Sequence, residues 1–230
     1  MPSTNYPNGV TTRPDSDPFF DFILPDPTTA HVYFNDFDTY VAGDWTITTT
    51  EAGAGSATEA LTDADGGVLL ITNAAGDNDL DFFNKVGESF LMAAGKQAWF
   101  RARFQVSDAT QSDWVMGLQI TDTTMLAVSD GIFFQKDDGD ANIDFHVEKD
   151  GTASTALAIA TNADATNVEL AFHYNGIDAV TYFVDGVRIG SLAVTNLPDD
   201  EELTIAFGLQ NGEAVAKTMS IDYILAAKER

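Results

Sequence analysis

The sequence predicts an all-β protein in which an extended proline-rich arm precedes a sandwich of two antiparallel sheets. Two observations indicate the sandwich: short apolar runs that alternate with polar residues, and turn-forming Asp-Gly and Asn-Gly pairs that separate these runs. A third observation sets the arm apart, because six of the seven prolines fall within residues 1–27. We therefore divide the chain into an arm at 1–30 and a sandwich at 31–230.

The amino-terminal arm is not expected to form a helix or a central strand, because proline lacks a backbone N–H and fixes its own φ angle. It nevertheless carries large apolar side chains, which a solubilising tail would not need. The residues that we expect to anchor the arm are Tyr6, Phe19, Phe20, Phe22 and Leu24. Two interpretations stay open: the arm packs along its own domain, or it reaches another chain in an assembly.

From about residue 31 the sequence becomes a series of short β-type runs with no helical pattern between them. Segment 97–106 shows the alternation clearly, because its even-numbered positions are all Ala, Phe or Val. Its odd-numbered positions include Trp99, Arg101 and Arg103, which we expect on the opposite face of the strand. A spacing of roughly 8–12 residues between runs is typical of an antiparallel sandwich.

The charge of the chain excludes several classes of function. The chain has 36 acidic and 11 basic side chains, which give a formal net charge of -25. Such a surface repels phosphate backbones and anionic membranes, so we expect neither a nucleic-acid partner nor a membrane partner. Because there is no cysteine, the chain can form neither a disulfide framework nor a thiolate zinc site.

Five segments of the sandwich resemble a known superfamily: 33–38, 66–72, 99–104, 183–186 and 220–224. Their sequences are YFNDFD, GGVLLIT, WFRARF, FVDG and SIDYI. They are similar to the concanavalin A-like lectins and glucanases, a superfamily that includes laminin-G-like modules. The resemblance covers most of the predicted sandwich. It implies a jelly roll in which two curved antiparallel sheets stack and the first and last strands are neighbours.

The segment Asn5–Thr11 has the sequence NYPNGVT and resembles the start of tailed-phage virion proteins, in particular head decoration or cement proteins. This second resemblance implies a non-enzymatic structural protein on the capsid exterior. Its partners would be the major capsid protein and copies of itself, with a trimer as one arrangement.

The sequence carries no catalytic motif that would indicate an enzyme. A glycosidase of the resembled superfamily would carry acids at alternate positions, as Glu-x-Asp-x-Glu, so that both carboxylates face one sugar. The chain lacks this motif, and a serine-hydrolase Gly-x-Ser-x-Gly motif is also absent. The nearest cluster alternates correctly but has no leading glutamate; it consists of Asp144, His146, Glu148 and Asp150. We therefore expect no catalytic residues.

Calcium is the metal most consistent with the sequence, because it prefers carboxylate and carbonyl oxygens. The candidate ligands are Asp77, Asp79 and Asp81. Their run does not continue into a full calcium-binding loop, and aspartate also favours turns that bind no metal. No other cofactor is expected.

Trp99, Arg101 and Arg103 form the candidate contact of the sandwich body. Trp and Arg dominate the energetics of protein contact surfaces, which favours a binding role for this strand face. Three interpretations stay open: internal ion pairs with acidic neighbours, an anchor for an acidic partner, or a platform for a glycan.

The sequence as a whole predicts a phage head decoration protein that binds the capsid and neighbouring subunits through its arm. The alternative is a carbohydrate-binding, lectin-like module that uses Trp99. The two hypotheses share a fold and differ in the partner.

Overall fold

The computed structural model describes residues 28–62, 64 and 66–230, which form fifteen strands and two 3-10 turns at Ala42–Asp44 and Val194–Asn196. The all-β prediction is confirmed. No helix of the described chain is both long and apolar enough to span a membrane. The strands are β1 (Ala30–Asn35), β2 (Trp45–Thr50), β3 (Thr58–Thr62), β4 (Val68–Thr72), β5 (Leu80–Lys85), β6 (Ala98–Val106), β7 (Ser112–Gln119), β8 (Gly131–Lys136), β9 (Asn142–Lys149), β10 (Thr152–Thr161), β11 (Val168–Tyr174), β12 (Ala179–Val184), β13 (Val187–Ala193), β14 (Thr204–Asn211) and β15 (Thr218–Glu229).

The strands form two antiparallel sheets that stack as a sandwich, as the sequence predicted. The eight-stranded sheet has the order β13-β12-β11-β6-β15-β4-β3, and β1 also pairs with β15. The seven-stranded sheet has the order β10-β9-β8-β7-β14-β5-β2. The chain crosses between the sheets several times, as in the jelly roll that the superfamily resemblance implied.

The first and last strands of the described chain are neighbours. One edge of β15 pairs with β6, while β4 and β1 share its other edge in succession. The β4 pairs run from Thr218 to Ile221, and the β1 pairs run from Ile224 to Glu229. Both ends of the described chain therefore meet within one sheet.

The core lies between the sheets and follows from the alternation along each strand. Aromatic rings on neighbouring strands fill much of it: Phe83 stacks on Phe207 with ring centroids 4.8 Å apart, and Trp45 meets Phe207 edge-on at 4.9 Å. Such rings bury large apolar areas, which is the main favourable contribution to folding. The even-numbered side chains of β6 join this core, as predicted: Ala98, Phe100, Ala102, Phe104 and Val106.

Four strands have no counterpart among the β-type runs of the sequence: β2, β3, β5 and β10. Those runs lie at 31–37, 67–73, 97–106, 114–121, 131–136, 142–149, 166–174, 178–184, 187–194, 202–210 and 217–225. Three of the four strands are the terminal strands of their sheets and consist largely of Thr, Ala and Ser. The fourth, β5, is buried on both faces from its first residue, so it shows no alternation. Pairing with neighbouring strands, rather than local pattern, sets the structure of these segments.

A second apolar cluster lies on the outer face of the seven-stranded sheet. Segment 121–130 crosses this face and buries Met125 and Val128. These two side chains pack in one cluster with Phe82 and Val115 from the sheet, which are 0% exposed. The loop therefore closes this part of the outer face to solvent.

Gly67 lies in the turn before β4, where the backbone packs closely against Asp36 and Phe37. Its φ is +77°, and a Cβ at this position would lie 2.6 Å from backbone atoms of Asp36 and Phe37. The neighbouring Gly66 has a φ of +89°, but a Cβ there would have no atom within 4 Å. We expect Gly67→Ala to lower the free energy of unfolding by about 2–4 kcal/mol and Gly66→Ala by about 1 kcal/mol, because only the first adds a backbone clash to left-handed strain. Urea denaturation measures both losses, and equal losses would contradict the clash.

Candidate functional site

The outer face of the eight-stranded sheet carries the body residues that the sequence indicated. β6 presents Trp99, Arg101 and Arg103 on this face, because its even-numbered residues point into the core. All three side chains are half-buried. Since β6 lies between β11 and β15, side chains from both neighbours flank them.

Arg101 belongs to a polar network of three residues. Its Nη2 lies 2.6 Å from Oε2 of Glu169 on β11, and the hydroxyl of Tyr223 on β15 donates a hydrogen bond to the same oxygen. Burial is the largest influence and opposes the charge on Arg101, but the hydrogen bond to Glu169 and the other interactions with Tyr223 and Glu169 together outweigh it and raise the pKa of Arg101. Burial and the bond to Glu169 also raise the pKa of Tyr223. The network joins three adjacent strands across their outer face.

Arg103 forms a second ion pair, with Asp222 on β15. The side chain of Arg103 is 42% exposed and that of Asp222 is 24% exposed. Solvent therefore screens this pair, and pairs of this kind contribute about 0–1 kcal/mol to stability. Both arginines of the face thus have acidic partners within the sheet, as the ion-pair interpretation required.

Trp99 stacks on an imidazole ring. Its ring centroid lies 5.3 Å from that of His173, the residue opposite it on β11, with 18° between the ring planes. The Oε1 atom of Gln97 lies 2.8 Å from Nε2 of His173 and holds the ring in place. Burial lowers the pKa of His173 to about 4, against the opposing charge of Glu229. His173 is therefore neutral near pH 7, which suits close stacking against the indole.

A groove of about 470 Å³ lies beside Trp99. The backbone N–H of Arg230 donates to the carbonyl oxygen of Thr29 at 2.8 Å, so the two ends of the described chain are joined here. Residues 28–30 are the last three of the arm and line this groove, so the arm meets the sandwich here. The lining consists of Thr28, Thr29, Ala30, Lys96, Trp99, Glu229 and Arg230.

The predicted arm anchors lie outside the described residues, and their contacts stay a prediction. The structure fixes only the point at which the arm joins the sandwich, next to Trp99. The residues concerned are Tyr6, Phe19, Phe20, Phe22 and Leu24.

The three candidate calcium ligands are not brought together as a metal site. The two oxygens of Asp79 accept hydrogen bonds from the backbone N–H groups of Ala52 and Gly76, at 2.5 and 2.8 Å. Asp81 faces the interior between the sheets, whereas Asp77 is exposed. Within 28–62, 64 and 66–230, no group of three His, Asp or Glu side chains is placed to hold a metal ion. Asp79 serves instead to close the turn before β5.

The acidic cluster of β9 lies on the outer face of the seven-stranded sheet, as its alternation predicted. Asp144 accepts a hydrogen bond from the backbone N–H of Ala158 at 2.7 Å. His146 stacks on Phe133, with ring centroids 5.1 Å apart and parallel planes. Burial raises the pKa of Glu148, and the charge of a neighbouring aspartate adds to this effect. Asp144 and His146 thus have structural partners on or beside their own sheet.

The sequence did not indicate which side chains contact Trp99, Arg101 and Arg103. The alternation along β11 indicated that Glu169 and His173 point outward, but the register between β6 and β11 could not be read from the sequence. That register places Glu169 opposite Arg103 and His173 opposite Trp99. A one-residue slip would turn every side chain of the strand to the other face.

No protein-family model and no curated protein matches the sequence. Solved structures do match the fold. An endo-1,3-β-glucanase from Streptomyces sioyaensis is similar over 89% of this chain and 98% of its own, with a TM-score of 0.63 and 12% sequence identity. The carbohydrate recognition domain of Emp46p is similar over 84% of this chain and 94% of its own, with a TM-score of 0.56 and 10% identity. The fold is a concanavalin A-like jelly roll.

A third similar structure is a protein of unknown function from Shewanella oneidensis MR-1. It has 18% sequence identity and a TM-score of 0.58, and the similarity covers 87% of each chain. Identities at this level show a shared jelly roll and do not transfer an activity. The similarities concern the sandwich and not the amino-terminal resemblance to phage proteins.

The burial of His173 gives a pH prediction for the site. Because its folded-state pKa of about 4 lies below the ordinary value of about 6.5, the folded protein binds fewer protons than the unfolded chain in this range. We therefore expect His173 to lower stability as the pH falls from about 6.5 to about 4. His173→Gln should remove this part of the pH dependence of thermal unfolding. An NMR titration of the ring protons with a midpoint near the ordinary pKa would contradict the prediction.

Proposed function

We propose that this protein is a non-enzymatic structural subunit, a phage head decoration protein on the capsid exterior. Its partners are the major capsid protein and copies of itself. It binds them through the amino-terminal arm and through the Trp99 face, which we define as Trp99, Arg101 and Arg103 on the outer side of the eight-stranded sheet.

The observation that carries the proposal is the position of the arm. The arm meets the sandwich at the groove that Trp99 lines, together with Thr28 and Thr29. A partner that holds the arm is therefore brought against the Trp99 face. Two modest contacts with one partner reinforce each other, because the second forms within an existing complex.

The distribution of charge also supports this face. Elsewhere on the chain acidic side chains dominate, which keeps copies soluble and apart. An acidic partner surface is therefore repelled less by the region around β6 and β15 than by the rest of the molecule. Six of the 11 basic residues lie on these two strands or next to them: Lys96, Arg101, Arg103, Lys217, Lys228 and Arg230.

The outer face of the seven-stranded sheet supports a non-enzymatic role. Met125 and Val128 cover part of it with the protein's own loop. On β9, Asp144 binds a backbone N–H and His146 stacks on a ring. These contacts occupy groups that a catalytic site would need to direct at a substrate.

The virion part of the proposal draws on the resemblance of Asn5–Thr11 to phage decoration proteins. A rigid sandwich with an adhesive arm suits such a protein, because the arm can fit a neighbour while the body stays folded. The composition agrees, since a net charge of -25 spaces many copies on one surface.

Cosedimentation with heads of the phage that encodes this sequence tests the proposal. The full chain should sediment with heads, and deletion of residues 1–27 should reduce the bound fraction at least about tenfold, which corresponds to about 1.4 kcal/mol of binding free energy. Exchange of Arg101 and Arg103 for alanine should reduce it less, because the arm remains.

A matched control comes from the same sheet. Arg188 on β13 is exposed, and Arg188→Ala removes one arginine away from the Trp99 face, so binding should not change; it is compared with Arg101→Ala and Arg103→Ala as single exchanges. The proposal fails if the full chain does not bind heads, or if the chain lacking residues 1–27 binds as well as the full chain.

A carbohydrate-binding module is the second candidate. It is favoured by the similarity to a glucanase and to a carbohydrate recognition domain, and by the groove beside Trp99. A glycan array separates the two functions: specific binding that is lost with Trp99→Ala supports the lectin-like module. Head binding without glycan binding supports the decoration protein.

A further inference from the structure

A buried acidic group lies where the two sheets meet at the β2–β3 side of the sandwich. Asp81 on β5 is 0% exposed, and the hydroxyl of Thr49 on β2 donates a hydrogen bond to its Oδ1 at 2.7 Å. The second oxygen, Oδ2, is also buried and accepts no hydrogen bond from a described residue. A buried polar atom in this state is costly, so it needs an explanation.

Glu59 on β3 faces Asp81 from the opposite sheet, because it lies opposite the core residue Ile71 on β4 and so points between the sheets. Its carboxyl group raises the pKa of Asp81 through its charge and through a side-chain hydrogen bond. Two ionised carboxylates have no proton between them and repel each other. If Asp81 is protonated, its Oδ2 becomes a donor and the same contact becomes a hydrogen bond. Protonation therefore explains both the burial of Asp81 and its otherwise unused oxygen.

The surroundings of Asp81 favour the protonated form. Burial is the largest influence, the bond from Thr49 opposes it, and the charges of Glu59 and Glu51 add to it, so the pKa of Asp81 rises to about 7. The hydroxyl of Tyr40 is buried in the same region. Burial and the charges of Glu59 and Asp81 raise the pKa of Tyr40 to about 12, which keeps it neutral.

We propose that Asp81 donates a proton-dependent hydrogen bond to Glu59, and that this bond latches the two sheets together beside the connection between β2 and β3. Segment 51–57 forms that connection and contains no strand or helix. When the proton is lost, two negative charges face each other across the sheets. The β2–β3 side of the sandwich then loosens, while the Trp99 face on β6 lies elsewhere and keeps its contacts. This pH-sensitive latch goes beyond the proposed function and does not depend on it.

The raised pKa of Asp81 determines how stability changes with pH. The folded-state pKa of about 7 exceeds the ordinary value of 3.8, so the folded protein binds more protons than the unfolded chain between these values. The contribution of Asp81 to stability therefore falls as the pH rises from about 4 to about 7 and is level above that. Burial also raises the pKa of Asp113, to about 6, and His173 affects stability up to about pH 6.5. The interval above about pH 6.5 therefore reports on Asp81.

The experiment compares the full chain with Asp81→Asn and Glu59→Gln. Either amide can donate to the remaining carboxylate, so both variants should hold the latch closed at every pH. In the wild type, we expect the thermal midpoint to fall by roughly 2–3 °C between about pH 6.5 and about pH 8, where the titration of His173 no longer offsets that of Asp81. Both variants should lose this fall. Amide hydrogen exchange should show β2 and β3 opening above about pH 7 in the wild type only.

The infrared carbonyl stretch of a protonated carboxylic acid gives an independent readout. The band should persist in the wild type at about pH 7, where Asp113 is ionised, weaken as the pH rises further, and be nearly absent at about pH 7 in Asp81→Asn. Asp144→Asn makes the same chemical change on the outer face of the seven-stranded sheet and should leave the band and the pH profile unchanged.

If Asp81→Asn fails to fold, Glu59→Gln carries the test, because Glu59 is partly exposed. A wild type without the band at about pH 7, or variants that keep the wild-type slope above about pH 6.5, overturn the proposal.

Discussion

The pairing of β15 with β6 on one edge and with β4 and β1 on the other is the interaction on which the rest of the molecule depends. β15 has 12 residues and contacts β4 through its first part and β1 through its second part. This arrangement brings Thr29 against Arg230, and so places the start of the sandwich next to Trp99. The groove, the attachment of the arm and the position of the Trp99 face all follow from the register of this one strand.

On the Trp99 face, two of the few basic side chains of this acidic protein form ion pairs within the sheet. Arg101 and Arg103 each contact a carboxylate on an adjacent strand, Glu169 and Asp222. Such pairs orient the guanidinium groups and link β11, β6 and β15, but they leave the surface weakly charged rather than strongly basic. A partner of this face would therefore gain more from contact with Trp99 and the planes of the arginines than from net charge.

The fold could be predicted from the sequence wherever alternation was strong, as in β6, β9 and β11. It could not be predicted for β5, which is buried on both faces, or for β10, whose Thr, Ala and Ser residues carry no pattern. The site was predicted in part. Trp99, Arg101 and Arg103 are on one outward face, but their partners depend on strand register, which a single sequence does not encode locally. The calcium site predicted at Asp77, Asp79 and Asp81 does not form in this structure. The carboxylate of Asp79 accepts hydrogen bonds from backbone N–H groups, and Asp81 faces Glu59 across the core.

Two buried groups that are both uncharged in the folded protein act on stability in opposite directions. His173 is held neutral and favours unfolding as the pH falls towards 4, whereas Asp81 is held protonated and favours unfolding as the pH rises towards 7. Between about pH 4 and about pH 6.5 one group gains and the other loses about the same free energy per pH unit, so their sum is nearly independent of pH. A flat stability profile of the wild type in this range would therefore hide both titrations. The two slopes of stability against pH cancel in the intact chain. His173→Gln therefore reveals the slope that Asp81 contributes, and Asp81→Asn reveals the slope that His173 contributes.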